Sequence, residues 1–93
     1  MKLNKIDRKF KEICFEKTQD LYNRLTKTYK VVYDDGHTQI VITNDPEYTL
    51  TAYATVIAYN KETHKAVGLS AYELKLCLKK LKQLNKNKLI KWF

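Results

Sequence analysis

Tyr29-Lys30-Val31-Val32-Tyr33-Asp34-Asp35-Gly36-His37-Thr38-Gln39-Ile40-Val41-Ile42-Thr43 decides the fold. Tyr29, Val31 and Tyr33 alternate with Lys30, Val32 and Asp34; Thr38, Ile40 and Ile42 alternate with Gln39, Val41 and Thr43. A two-residue period is that of a strand, and Asp-Gly between two such runs signals a hairpin. A two-residue turn at Asp35-Gly36 sets Asp34 opposite His37, Val31 opposite Ile40 and Tyr29 opposite Ile42. That register gathers the apolar partners on one face.

Downstream, Asn44-Asp45-Pro46-Glu47 reads as a turn, since Pro46 lacks the donor a central strand needs. Tyr48 to Tyr59 is rich in Thr, Tyr, Val and Ile and reads as a long strand. One face carries Leu50, Ala52, Ala54, Val56 and Ala58; small residues let helices lie close, so this face is placed inward. Asn60 to Thr63 reads as a loop and His64 to Leu69 as a short fourth strand. Ser70-Ala71-Tyr72-Glu73 is a capping box opening a second helix, with Leu69 and Leu74 at the positions of a hydrophobic staple. Leu74, Cys77, Leu78, Leu81 and Leu84 form its expected buried stripe. Asn85-Lys86-Asn87 frays or ends it, and Leu89, Ile90, Trp92 and Phe93 follow as an apolar tail, read as a flap on the core or an anchor for a partner.

Upstream, residues 4 to 26 read as one helix. Leu3, Ile6, Phe10, Ile13, Cys14, Leu21 and Leu25 recur at three- and four-residue steps, with Asn4 as cap and Asp7 in the first turn. Phe15 and Tyr22 lie off that arc, placed to pack sideways on a second helix. Lys17 falls within it and is expected to bury its stem and keep its ammonium wet. Cys14 and Cys77 each read as small buried hydrophobes. The expected fold is α+β: an N-terminal helix, an antiparallel meander of three or four strands and a C-terminal helix, both helices on one face of the sheet.

Composition bounds the rest. The 93 residues include 18 Lys and Arg against 10 Asp and Glu, a net charge of +8, and only two Gly, one Pro and two Cys. That length expects a single domain (residues 1–93) with a thin core, and excludes a disulfide scaffold, a Cys-rich metal framework and low-complexity architectures. The start is charged, with no apolar stretch of signal-peptide length. The longest uncharged run, Tyr48 to Asn60, is too short to span a bilayer. A cytoplasmic protein with no membrane contact is expected.

The charge is uneven. Residues 1–27 carry net +4, residues 28–69 net −2 and residues 70–93 net +6. Lys75, Lys79, Lys82 and Lys86 step by four, three and four, so on a helix they share an arc of about 60° and run for about 16 Å. Like charges in such a row repel, and a row of phosphates would relieve them. The bland reading is a solvated face in a lysine-rich chain. Arg8 and Lys11 are secondary candidates for the same contact. Nucleic acid or a nucleoprotein is the expected partner, bound without sequence reading because lysine acts on phosphate as a point charge.

The outer sheet face is a second candidate surface. With the alanine face inward, Tyr53, Ile57, Tyr59, Val32 and Val41 form an uncovered patch that could stack bases, pair two copies of the chain or bind a protein. A protein-binding modulator, such as a phage-type inhibitor of a host or defence nucleic-acid enzyme, is the alternative; Tyr53, Ile57, Tyr59, Trp92 and Phe93 would carry it. Catalysis is not expected. There is no Gly-rich phosphate loop, and His37 and His64 lack ligand spacing for a metal. Asp34, Asp35 and His37 cluster at the hairpin tip, where the turn already accounts for them. No cofactor or metal is expected.

The order helix, strands, helix resembles that of double-stranded-RNA-binding domains over about two-thirds of the chain. Gly68-Leu69-Ser70 stands where that family has its Gly-x-Ser entry to the last helix. The resemblance implies contact with duplex RNA. Ala71, Tyr72 and Glu73 stand where the family carries lysines, and the chain is not assigned to it.

Overall fold

A computed structural model describes residues 4–49 and 53–87. The element order is α1 (Lys5–Glu12), β1 (Glu16–Asn23), β2 (Thr28–Asp34), β3 (Thr38–Thr43), β4 (Thr55–Asn60) and α2 (Ala71–Lys86). The four strands form one antiparallel meander in the order β1-β2-β3-β4. Phe10 of α1 and Leu76, Cys77, Leu81 and Leu84 of α2 join one core with Val31, Tyr33, Ile40, Ile42 and Ala58. Both helices therefore cover the same face, and the α+β expectation holds. Among the described residues no helix is long and apolar enough to cross a membrane.

The expected helix over 4–26 is replaced by a shorter helix and a strand. Asn4 caps α1, its Oδ1 accepting from the Ile6 N–H at 2.8 Å. Ten residues after Asn4 the chain reverses through Cys14, at φ +70°. The Cys14 N–H donates to the Lys11 carbonyl (2.9 Å) and the Phe15 N–H to the Phe10 carbonyl (2.9 Å). These are the two bonds of a Schellman stop, and its usual apolar contact is present: the Phe10 and Phe15 rings meet edge to face at 6.4 Å. Glycine normally marks this stop; cysteine holds the left-handed position here. Cys14 is accordingly exposed, not buried. Leu21 and Leu25, assigned to the helix's apolar arc, are exposed, Leu25 at 95%.

The strand that follows has a bulge. Lys17 pairs with Tyr33 and Asp20 with Val31, the register shifting between Lys17 and Gln19. Residues three apart in a regular strand point to opposite faces. The extra residue, Thr18, puts Lys17 and Asp20 on the same, inner side.

The central hairpin forms with its register two residues from the expected one. Asp34 faces Gln39, Tyr33 faces Ile40 and Val31 faces Ile42. The turn is Gly36-His37, with Gly36 at φ +95°. Asp35 holds it: its Oδ1 accepts from the N–H groups of His37 (2.8 Å) and Thr38 (2.7 Å). A shift of two preserves side-chain parity, so the face assignments survive the change. Ala54, Val56 and Ala58 face the core as expected, while Leu50 and Ala52 lie outside the described residues. The expected long strand is confined to Thr55–Asn60, and 64–69 supplies only a Tyr59–Ala66 bridge in place of a strand. The fourth strand lies at the opposite edge, as β1.

Candidate polyanion-binding face

α2 starts where the sequence places it. The Ser70 hydroxyl accepts from the Glu73 N–H (3.1 Å), and a Glu73 carboxylate oxygen accepts from the Ser70 N–H (2.7 Å). This uses the one acid of the helix at its N-terminal end, where the dipole favours it. The buried side differs from expectation. Leu76, Cys77, Lys80, Leu81 and Leu84 point inward; Leu74 and Leu78 do not. Burial pushes the Cys77 thiol up to about 12, which keeps it protonated and inert.

Lys75, Lys79, Lys82 and Lys86 all lie exposed on the outer side, and no acid among the described residues forms an ion pair with them. α1 adds to this charge. Lys9, Lys75 and Lys5 crowd Lys79 and lower its pKa below the ordinary lysine value, Lys9 most of all. The row therefore spans both helices. Its α1 members are Lys5 and Lys9, which the sequence reading passed over. Arg8 and Lys11 are also exposed on α1; at about 100° per residue Arg8 stands about 60° round the helix from Lys5 and Lys11 about 120° from it. Lys11 instead borders a depression of about 220 Å³ with Asp7, Phe15, Glu16 and Lys17. The signal for Lys5 and Lys9 is their spacing of four; their relevance follows only once α1 is packed on α2.

The inner side of the same helices holds a second set of charges. Asp7, nearly fully buried, accepts from the Tyr33 hydroxyl (2.6 Å) and pairs with Lys17 (2.8 Å) and Lys80 (3.8 Å). Lys17 also pairs with Asp20 (2.8 Å), which accepts from the Tyr29 hydroxyl. Lys80 is 4% exposed and donates to Gln83 Oε1 (3.2 Å). Burial lowers its pKa, opposed by Asp7 and Asp20. Burial and Asp7 push the Tyr33 hydroxyl strongly up, so it stays a donor. Every charge here has an answer within the molecule, which marks the cluster as a structural brace between α1, β1, β2 and α2.

The outer sheet face is less open than the sequence implies. Val32 and Val41 are buried, and Ile57 and Tyr59 are half-buried. Tyr48 meets Lys30 on this side, its hydroxyl accepting from Nζ at 2.9 Å, and the Tyr59 hydroxyl donates to Gln39. Tyr53 is exposed; Trp92 and Phe93 lie outside the described residues. At the hairpin tip Asp34 accepts from Gly36 N–H, Gln39 Nε2 and Lys61, and Asp35 holds the turn, so both carboxylates are engaged. No group of three or more His, Cys, Asp or Glu among the described residues is placed to hold a metal ion. No protein-family model matches the chain, and comparisons with curated proteins and with solved structures return no match.

Proposed function

We propose that this is a small, non-catalytic cytoplasmic protein that contacts nucleic acid, free or in a nucleoprotein, through the lysine row of α2. One observation carries the reading. The molecule answers its inner lysines with carboxylates and leaves Lys75, Lys79, Lys82 and Lys86 exposed, with Lys5 and Lys9 added to the same positive field. Such a row lowers its own repulsion when phosphates displace its counterions. Binding by this route is salt-dependent and indifferent to base sequence. The modulator reading ranks second, because Tyr53 is the broadly exposed member of its described sheet-face set.

Replacing Lys75, Lys79, Lys82 and Lys86 together with Gln tests the proposal. Retention on immobilised duplex and single-stranded nucleic acid is measured across a salt series. The variant should elute at lower salt, with a log–log salt slope shallower by about 3 to 4. An unaltered slope and elution position would refute the assignment.

A further inference from the structure

The outward surface of α2 is not only basic. Leu74 and Leu78, one turn apart, are 44% and 45% exposed. With Ala71, Lys75, Lys79 and Lys82 they line an open groove of about 380 Å³. These leucines are left over when the helix turns Leu76, Cys77, Lys80, Leu81 and Leu84 inward. A phosphate row does not account for them, since an aliphatic side chain offers a base neither a stacking plane nor a hydrogen bond.

We propose that this groove takes an acidic amphipathic helix of a partner protein. Its apolar ridge lies against Leu74 and Leu78, and its carboxylates face Lys75, Lys79 and Lys82. Leucines four residues apart form the kind of row that an opposing helix's ridge packs beside. Charge selects the occupant. The lysines rimming the groove have no acidic partner among the described residues, and Lys5 and Lys9 extend the positive field. A basic or neutral helix would leave that charge unrelieved, while an acidic one supplies both halves of the surface. The inference goes beyond nucleic-acid contact and has a consequence for it: the two ligands share three lysines and exclude one another.

The test uses the full chain and two synthetic peptides of identical composition. One is a helix with leucines on one side and glutamates on the other; the second scrambles them so that no apolar side forms. Calorimetric titration should show the amphipathic peptide binding at least about tenfold more tightly, the range expected when an apolar anchor is lost. Leu74→Ser combined with Leu78→Ser should remove that advantage and leave the nucleic-acid salt slope intact. Nucleic acid should displace the amphipathic peptide. Equal affinity for the two peptides overturns the proposal without any variant. So does leucine-dependent binding to anionic vesicles in place of the peptide, or leucine-dependent self-association of the chain. The lysine-to-Gln variant reports on the phosphate reading separately, so the failure of either idea is distinguishable.

Discussion

Lys79 and Lys80 are neighbours in the chain and opposites in the fold. Lys80 is buried beside Asp7 and Gln83, and its pKa is lowered by the loss of water, against the pull of nearby carboxylates. Lys79 stands in solvent, and its pKa is lowered by Lys9, Lys75 and Lys5. One helix thus carries two kinds of lysine a single 100° step apart. The inner kind ties elements together. The outer kind is held in mutual repulsion, with no acid of the described chain to relieve it. Composition counts them alike, and only packing separates them.

The most severe way to break the comparison is to remove the shared inner acid. Asp7→Ala takes the acceptor from the Tyr33 hydroxyl and the carboxylate from Lys17 and Lys80 at once. Lys80, with its side chain 4% exposed, is left charged with Gln83 as its hydrogen-bond acceptor and Asp20 as the remaining nearby acid. Orphaning one side of a buried ion pair costs about 3–5 kcal/mol. Urea unfolding should show a midpoint lowered to match. A variant as stable as the parent would mean that the inner charges are not a brace, and the contrast with the outer row would dissolve.

A smaller effect sharpens the comparison at the sheet's far end. Burial raises the Asp34 carboxyl, but Lys61, Gln39 and the Gly36 N–H outweigh it and hold the group at about 2. A carboxyl lowered on folding stabilises the fold above its unfolded value and loses that contribution as pH falls through the folded value. Asp34→Asn should therefore lower the thermal midpoint at neutral pH and flatten its decline between about pH 4 and pH 2. Parallel acid limbs for parent and variant would show that the tip carboxylate contributes nothing.

What the sequence made legible were features with local causes. The alternation of β2 and β3, the alanine face of β4 and the capping box of α2 each rest on residues a few positions apart, and each is found. The failures share a different origin. Four of the eight residues from Glu16 to Asn23 (Glu16, Lys17, Gln19 and Leu21) are good helix formers, and the strand state of the segment depends on pairing with β2 and on the Asp7 and Tyr29 contacts of Lys17 and Asp20. The stop before it was hidden because Cys14 occupies a position where glycine is the usual signal. In α2 the leucines suggested a stripe through Leu74 and Leu78. The helix instead rotates to bury Lys80, a choice that makes sense only once Asp7 and Lys17 are in place around it. The lysine row was legible as a row. Its extension onto Lys5 and Lys9 required the packing of α1 on α2.

The mildest perturbation tests the outer half directly. A lysine whose pKa falls on folding binds its proton less well in the folded state, so its charge opposes folding below that lowered value. The opposition is relieved as pH rises through the lowered value toward the ordinary one near 10.5. Lys79→Gln removes the opposition at every pH. In low salt the thermal midpoint should rise slightly near neutrality. The gain should shrink above pH 10, where the parent sheds the same proton, and vanish in high salt, where the neighbours are screened. Lys17, raised by Asp20 and Asp7 against its burial, has the opposite sign: its contribution is lost as pH climbs past its own raised value. A midpoint that falls in the Lys79 variant would show that this ammonium has a stabilising partner. The outer row would then be answered within the molecule, as the inner cluster is, and would need no external anion.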